Sequence, residues 1–539
     1  MTASTNAPGR RLGKIWLCGL ACLVFAGFAE AKDWYAAPNG TPSGDGSASM
    51  PWDLKTALGT QTCSPPSSIR PGDTLWLLPG IYHGGFKSCL NGTATAPIIV
   101  RNYEGGRVTL DGTGANMVLF TAGSNTWFWG LEFADLTATK RVGQIAGSNQ
   151  MPAGLAIGVG AYGPGLKYIN CIVHDTGQGF SGYNAAPDLE LYGSLSYYNG
   201  YVGPDRNHGH GIYMQNTTGA KLISDNFVGD NADEGIQIYG SPKASVVNFT
   251  VVGNALYNTA SWPEANYQSN LVTGAGDAHD NKFVQNMSFF TLSRRKGSVN
   301  IGQYMPSRDL EASDNVFAGG YVGVSVEGVN SPFTFERNKL VNIPAGPSGG
   351  PIYTTMLAQF PGQDTSAYSW DNNRYYGMNN FYRGTYDGIN VSDGRGMPFD
   401  EWRKDFDKNS TYSSTLPRGK WIYVRPNKYE AKRANIIIYN WDAYDTAGDI
   451  VPGKSPSVSV DLSSILSVGD QFVVRDAQNF FGPPVVSGKF DGHPIAIPME
   501  GLAKAAPVGF PAPPHTAPAF GTFIVMVPAA DPQSPRTSQ

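Results

Sequence analysis

Charged residues, cysteines and long apolar runs are scarce in this sequence of 539 residues, and each scarcity excludes a class of protein. Only 15% of the residues are charged, against roughly a quarter in most proteins, which together with 66 glycines excludes a coiled coil or helical bundle. The 39 basic and 43 acidic residues leave no electrostatic footprint for nucleic acid. With 41% hydrophobic and 12% aromatic residues, the chain is too apolar for disorder. A large, turn-rich, all-β protein remains.

The start of the chain has the pattern of a secretory signal peptide. Three basic residues lie within positions 10–14, an apolar run covers 15–28, and Ala29-Glu30-Ala31 is a small-x-small cleavage site. The run is too short to span a bilayer comfortably, with an uncleaved anchor as the alternative, and no later stretch is apolar enough to cross a membrane. We expect residues 1–31 to be removed, and residues 32–539 to be a secreted or periplasmic monomer without membrane attachment.

Few cysteines remain after the predicted signal. Cys18 and Cys22 leave with it, while Cys63, Cys89 and Cys171 stay in the mature chain. Cys63 and Cys89 flank one loop-rich region, and an exported protein can keep a disulfide, so we predict a bridge between them. The alternative is three buried free thiols. No CxxC spacing supports a zinc or redox role.

An asparagine motif and a glycine-led strand recur through the middle of the chain. The first runs Asp225-Asn226-Phe227-Val228 and returns near residues 280, 314 and 337, at spacings of 55, 34 and 23 residues. The second is Gly211-Ile212-Tyr213-Met214, with copies that begin at Gly235 and Gly323. Short period-2 strands, polar turns and a repeat above about 20 residues predict a parallel solenoid whose stacked coils share one core.

The N-terminal region has a distinctive order. A segment at residues 34–40 is followed by Trp52, by a short amphipathic helix predicted at residues 54–58, and by apolar strands from residue 74 onward. This order resembles the N-terminal cap and first coils of right-handed parallel β-helix proteins. More narrowly, it is similar to polysaccharide lyases of the alginate lyase and chondroitinase B type, up to about residue 410.

The resemblance implies an acidic polysaccharide as the substrate and partner. In that family a lysine and an arginine on neighbouring coils act as base and acid, often with Ca²⁺ on the substrate carboxylate. No order of residues in this sequence matches those motifs cleanly. Scattered Asp and Glu side chains have the oxygen ligands that calcium prefers, so Ca²⁺ is the one cofactor to consider.

The solenoid rhythm stops around residues 385–415, where residues 399–403 predict a short closing helix. The strands that follow have turns between them and predict an antiparallel arrangement. The predicted fold class is therefore all-β. A right-handed parallel β-helix covers residues 32–415, a small C-terminal antiparallel β-sandwich-like domain covers 416–530, and residues 531–539 form a frayed tail.

The densest polar stretch predicts where chemistry takes place. When the strands led by Gly211 and Gly235 are aligned, His210 falls level with Glu234, and Tyr213 with Gln237. Adjacent coils of a parallel sheet are about 4.8 Å apart, so the imidazole and the carboxylate become neighbours. Strict alternation from Ile212 would turn His210 inward, and we expect the turn at Gly209–Gly211 to break it.

Three consecutive cations extend this pattern. Arg294, Arg295 and Lys296 precede Gly297, and alignment on that glycine places Lys296 at the level of Glu234, about 10–15 Å further along the solenoid. Arginine and lysine at the mouth of a strand can bind a uronate carboxylate. A solvated rim is the alternative interpretation.

These residues together favour β-elimination on a uronate polymer. A cation neutralises the carboxylate, a base takes the C5 proton, and an acid protonates the leaving oxygen. His210 or Lys296 would be the base, and Tyr213 or His208 the acid. The candidate catalytic residues are His210, Tyr213, Asp233, Glu234, Arg295 and Lys296, and the candidate substrate-binding residues are Arg206, His208, Gln237, Tyr239 and Arg294.

Other functions stay open at this point. Asp230, Asp233 and Glu234 include enough carboxylates for a glycoside hydrolase of the polygalacturonase-like β-helix type. A uronan C5-epimerase shares the proton abstraction. A non-catalytic carbohydrate-binding solenoid or adhesin is the remaining class, although the irregular coils and the single dense polar zone favour an enzyme.

Overall fold

The computed structural model describes residues 30–137, 141–147, 150–261, 269–290, 297–343 and 353–528. The described residues from Lys32 onward belong to one compact unit. Three long sheets, here called A, B and C, follow one another in each coil, and their described strands pair in parallel except for the last strand of sheet C. This arrangement confirms the predicted parallel β-helix.

The strands are short and occur once per coil in each sheet, except that Val246–Val247 and Phe249–Val252 both belong to one coil of sheet A. Sheet A contains Asp33–Ala36, Thr74–Leu77, Ile98–Asn102, Thr126–Trp129, Lys167–Ile169, Leu189–Tyr192, Lys221–Ser224, Val246–Val247, Phe249–Val252, Ala278–Val284, Ser307–Ser313, Phe333–Glu336 and Tyr368–Asp371. Sheet B contains Gly80–His83, Val108–Asp111, Glu132–Ala134, Ile172–His174, Leu195–Tyr197, Phe227–Gly229, Ala255–Tyr257, Met287–Phe289, Val316–Ala318, Lys339–Val341, Arg374–Tyr376 and Thr411–Ser413. Sheet C contains Phe86–Ser88, Met117–Thr121, Ile157–Ala161, Gln178–Gly182, Ile212–Met214, Ile236–Tyr239, Leu271–Gly274, Gly297–Ile301, Val322–Glu327, Tyr353–Gln359, Phe381–Tyr386 and Val391–Met397.

Each coil turns apolar side chains toward a shared interior. In sheet C, Val159, Phe180, Ile212, Ile236 and Leu271 are level on consecutive strands, and none is more than 1% exposed. Burial of side chains of this size stabilises a fold by roughly 1.5–3 kcal/mol each. A single coil cannot cover its own column, so the coils are stable only when stacked.

Buried asparagines link the coils at the turn from sheet A to sheet B. Each backbone N–H and side-chain amide donates to the Oδ1 of the next asparagine, at 2.8–3.2 Å. Asn281, the asparagine of the recurring motif near residue 280, is not part of this row, because it lies inside the strand Ala278–Val284; Asn286 occupies the equivalent position. The row consists of Asn226, Asn254, Asn286, Asn315, Asn338 and Asn373.

The C-terminal strands form antiparallel sheets that cover sheet B. Phe520 of the larger sheet stacks on Phe289 of sheet B with ring centroids 4.8 Å apart, and Ile437 and Tyr439 join the same buried cluster. The C-terminal sheets therefore pack on the outer face of sheet B from the strand that contains Ile172 to the strand that contains Val341. The five-stranded sheet contains Lys420–Pro426, Ala434–Asn440, Gln471–Asp476, Val486–Lys489 and Phe520–Met526, and the two-stranded sheet contains Ser457–Val460 and Ile495–Pro498.

Several local predictions are confirmed. Helices α1 (Leu54–Leu58) and α2 (Phe399–Trp402) form where the sequence predicts them, and Cys63 is bonded to Cys89. Cys171 is a buried free thiol. Across the described ranges, no helix has the length and apolarity needed to span a bilayer. The predicted signal peptide and tail fall almost entirely outside the described residues, and the domain boundaries stay a prediction.

Candidate functional site on the outer face of sheet C

Three consecutive coils of sheet C present side chains outward at the same three positions. The middle positions, Ser181, Tyr213 and Gln237, are level in the ladder. The predicted alignment of Tyr213 with Gln237 is thereby confirmed. The outward sets are Gln178, Ser181 and Tyr183; His210, Tyr213 and Gln215; and Glu234, Gln237 and Tyr239.

Gly211 allows His210 to face outward. Both Gly211 and Ile212 face the interior, so the strict alternation is broken at the glycine, as the sequence analysis assumed. A Cβ atom on Gly211 would lie 2.5 Å from Nδ2 of Asn231 and 2.7 Å from the carbonyl oxygen of Gly235. Only glycine fits such a close approach. Packing therefore requires glycine at position 211, and the backbone at this glycine orients the imidazole of the neighbouring His210.

His210 is held in its neutral form. Its ring stacks on Tyr213 with centroids 5.4 Å apart and planes at 22°. Burial lowers the pKa of His210 to about 4, and the positive charge of Arg206 acts in the same direction, while Asp233 opposes both. The Nδ1 atom of His210 lies 3.9 Å from Oδ2 of Asp233. At neutral pH the imidazole is thus available to accept a proton.

Tyr213 keeps its proton on the same face. Its hydroxyl accepts a hydrogen bond from the Gln215 amide at 3.0 Å and donates a long one, 3.4 Å, to the carbonyl of Tyr239. Burial, followed by the neighbouring Tyr183, raises the pKa of Tyr213 above its usual value. An unprotonated imidazole and a protonated phenol therefore lie side by side.

Three polar atoms on this face are buried without a hydrogen-bond partner among the described residues. They are Nδ1 of His210, Oε1 of Gln237 and Oδ1 of Asn300. Asn300 follows Gln237 in the same outward column, two coils further on. An unpaired buried polar atom costs about 1–3 kcal/mol, and such atoms call for a ligand, a water or a catalytic role.

A hairpin from the preceding turn carries Arg206 and His208 to the edge of the sheet. Nη1 of Arg206 lies 2.9 Å from Oδ2 of Asp233, and 46% of the arginine side chain is exposed. His208 is instead packed inside the hairpin, stacked on Tyr201 and hydrogen-bonded to Asp205 at 3.1 Å. The expectation that His208 contacts substrate or acts as the acid is corrected, because only 3% of its side chain is exposed.

The acidic residues divide between two faces. Glu234 is level with His210, as predicted, and its carboxylate accepts a hydrogen bond from the backbone N–H of Ser269 on the next coil. Asp230 instead forms a buried ion pair with Lys504, 2.7 Å long, beneath the C-terminal sheets. The suggestion that Asp230 belongs to a hydrolytic carboxylate pair is therefore wrong.

For the predicted cation cluster, the structure describes only the strand that follows it. Arg294, Arg295 and Lys296 lie outside the described residues. Ile236 is level with Leu271, and Leu271 with Val299, so the alignment of Gly235 with Gly297 is wrong by one residue. The coil count is right, because the strand Gly297–Ile301 follows two coils after Ile236–Tyr239.

The coil before His210 also contributes to this face, although no residue of it was predicted as a site residue. Gln178 donates to Ser181 Oγ at 2.8 Å, and Tyr183 lies 6.0 Å from Tyr213, ring centroid to centroid. The sequence does carry a signal for this coil, because Gly179 precedes the inward Phe180 as Gly211 precedes Ile212. A Cβ atom added to Gly179 would lie 2.2 Å from the carbonyl oxygen of Gly211.

No group of three or more His, Cys, Asp or Glu side chains converges as a metal site within the part of the chain that the structure describes. The acidic residues nearest the site are already engaged, Asp233 by Arg206 and Glu234 by the Ser269 N–H. Calcium binding accordingly stays a prediction and supports no step of the chemistry below.

The sequence matches no protein-family model and no curated protein. Among solved structures, pectate lyase Pel9A is 17% identical over 60% of this chain and 83% of its own, with a TM-score of 0.39. A GH136 lacto-N-biosidase from Eubacterium ramulus is 15% identical over 64% and 67%, with a TM-score of 0.40. The mannuronan C-5 epimerase AlgE4 A-module from Azotobacter vinelandii is 14% identical over 56% and 85%, with a TM-score of 0.37. The fold assignment rests on the strand ladders above.

Proposed function

We propose that this protein is a polysaccharide lyase that cleaves a uronate-containing polymer by β-elimination on the outer face of sheet C. The observation that carries the proposal is the stacking of the His210 and Tyr213 rings on this face, with centroids 5.4 Å apart. The direction of each pKa shift favours a neutral imidazole beside a protonated phenol. Proton abstraction needs an unprotonated base, and departure of an alkoxide needs a protonated acid. Both groups are present at neutral pH on one strand end.

The proposed reaction balances without an external reagent. His210 takes the C5 proton, the electron pair forms the C4–C5 double bond, and the C4–O bond breaks. The leaving oxygen takes the proton of Tyr213, and solvent returns a proton from His210 to the tyrosinate. Because both side chains rise from the same face, the proton and the leaving oxygen depart from the same side of the sugar ring.

The surrounding side chains support a sugar substrate. The unpaired oxygens of Gln237 and Asn300 can accept hydrogen bonds from sugar hydroxyls. Arg206 lies beside His210; its Nη1 pairs with Asp233 at 2.9 Å, but 46% of its side chain is exposed, so the guanidinium can also contact a uronate carboxylate during C5 deprotonation. This arrangement favours a uronate over a neutral sugar, because removal of the C5 proton builds negative charge onto the carboxylate.

Incubation with acidic polysaccharides tests the proposal. Alginate, pectate, a glycosaminoglycan and a bacterial exopolysaccharide are each supplied, with and without a chelator, and ultraviolet absorbance of the unsaturated product is followed. We expect absorbance from at least one polymer, and a loss of 10²–10⁴-fold in kcat for His210→Ala and for Tyr213→Phe. His279→Ala, on sheet A beside Asp280, is the matched control that keeps full activity.

Other outcomes identify other functions. New reducing ends without absorbance indicate a hydrolase. Exchange of the C5 hydrogen with deuterium from solvent, without chain cleavage, indicates an epimerase. Binding without any of these changes indicates a carbohydrate-binding solenoid. Each of the three outcomes would overturn elimination.

A further inference from the structure

We infer that a continuous row of side chains on sheet C, from Tyr213 back to Lys87, is a binding track for the non-reacting part of an acidic glycan chain. The inference rests on the proposed function, since it extends the same face. It gives the polymer a direction, away from His210 toward the N-terminal coils. The track consists of Lys87, Phe120, Tyr162, Tyr183 and Tyr213, which are all half-buried.

The rings form an unbroken series, one per coil. Phe120 stacks on Tyr162 with centroids 4.6 Å apart, Tyr162 on Tyr183 at 5.5 Å, and Tyr183 contacts Tyr213 at 6.0 Å. Phe120, Tyr162 and Tyr183 cover one another's faces, whereas Tyr213 is tilted by 56° to Tyr183, and the three tyrosines add three hydroxyls to the row. Hydroxyl edges donate and accept hydrogen bonds, which suits the hydroxyls of a sugar chain.

A glycine makes room for the second ring. Gly160 occupies the outward column between Phe120 and Ser181. A Cβ atom there would lie 2.7 Å from Sδ of Met117 and 3.0 Å from Cε2 of Tyr162. Because Gly160 has no side chain, the outer face of the sheet has a shallow depression at this coil, and the ring of Tyr162 lies across it.

The track ends on a cation. Lys87 is level with Phe120 on the preceding strand, its Nζ lies 6.0 Å from the Phe120 ring centroid, and it donates to the carbonyl of Gln61 at 3.1 Å. In the described chain no carboxylate pairs with Lys87. A positive charge at the far end of a hydroxyl row complements a polymer that bears carboxylates, and not a neutral one.

The two sides of the site differ. Beyond Tyr213, toward the C-terminal coils, the same outward column continues as Gln237, Val272, Asn300 and Ser325. In this column the ring series therefore ends at Tyr213, while Tyr239 and Tyr304 on the C-terminal side meet edge to face with ring centroids 5.9 Å apart.

Binding measurements test the track separately from catalysis. Alginate, polygalacturonate and chondroitin sulfate are each titrated against the full chain in the His210→Ala background, with Tyr162→Phe or Lys87→Gln added. Tyr162→Phe keeps the ring stack and removes one hydroxyl. We expect a threefold to tenfold weaker Kd for the polymer that binds, and a smaller salt dependence for Lys87→Gln. Tyr103→Phe, a half-buried ring against Trp76 on sheet A, is the matched control and leaves the Kd unchanged.

The outcomes separate the two proposals. If the wild type performs elimination but Tyr162→Phe and Lys87→Gln bind as tightly as their parent, the row is only a structural stack and the track is overturned alone. If none of the three polymers binds the wild type, the track is overturned together with an acidic substrate. Gly160→Ala, which displaces Tyr162, should weaken binding in parallel while thermal melting confirms its fold.

Discussion

The imidazole of His210 and the carboxylate of Asp233 are close but not hydrogen-bonded, with 3.9 Å between Nδ1 and Oδ2. The carboxylate is directed instead to Arg206, at 2.9 Å. His210 therefore senses a negative and a positive charge at once, superimposed on the larger effect of burial. The pKa of His210 therefore depends on both charges, and a single substitution can raise it or lower it.

Asp233→Asn and Arg206→Gln should shift the pKa of His210 in opposite directions. Loss of the carboxylate removes stabilisation of the imidazolium and lowers the pKa below about 4, whereas loss of the guanidinium raises it. NMR titration of the imidazole measures both. In kcat/KM, the acid limb of the wild-type profile should lie near pH 4 and move with each variant. Shifts of the same sign in the two variants would contradict this account.

A second testable relationship ties the C-terminal sheets to the coil that carries Asp233. Lys504 and Asp230 form an ion pair of 2.7 Å whose side chains are 3% and 2% exposed. Removal of one partner leaves a buried charge, so Lys504→Met should lower the free energy of unfolding by about 3–5 kcal/mol. Denaturant titration measures the loss.

The double variant Lys504→Met/Asp230→Asn supplies the control. It should recover most of the lost free energy, because no unpaired charge remains. Lys420→Met breaks an exposed pair with Asp442, 2.9 Å long, and should cost at most about 1 kcal/mol. Equal losses for the buried and the exposed pair would refute the assignment.

The sequence predicted the sheet and the register of the site better than it predicted the side-chain environments. Gly211 and Gly235 mark equivalent points of two coils because packing admits only glycine there, and this signal is local. The burial of Asp230 in an ion pair could not be predicted from local sequence, because its partner Lys504 is distant in the chain. The prediction that His208 contacts substrate failed for a similar reason, since its ring stacks on Tyr201 and is buried. The roles of the site residues stay predictions.

A buried histidine on sheet B should contribute stability that is lost in mild base. Burial opposes a charge on His174, but hydrogen bonds to Asp175 at 2.7 Å and Glu132 at 2.9 Å outweigh it and raise its pKa to about 9. A raised pKa contributes stability that is complete below pH 6.5 and lost as the pH rises through about 9. His174 alone should therefore contribute a fall in the free energy of unfolding of about 1.4 kcal/mol per pH unit within this window.

The variant His174→Gln removes this fall. Its unfolding free energy should be lower than that of the wild type at pH 6 and approach it above pH 9. His493→Gln, whose side chain is 83% exposed, is the control and should leave the pH dependence unchanged. A difference between His174→Gln and the wild type that is constant with pH would show that His174 contributes packing and no titration.

Lys221 should produce the opposite slope. It is level with the inward residues Leu189 and Phe249, is 1% exposed, and donates to the carbonyl of Tyr183 at 2.8 Å. Burial lowers its pKa to about 7. Between pH 7 and 10.5 the unfolded chain binds a proton that the folded chain does not, so this group makes stability rise with pH.

The two slopes overlap between pH 7 and 9 and should nearly cancel in the wild type. Lys221→Met removes the rise, so its unfolding free energy should fall with pH through that interval, and it should exceed the wild-type value at pH 7. His174→Gln leaves only the rise. Denaturant titrations of the three proteins at half-unit pH steps check both signs, and parallel curves would exclude titration of either buried group.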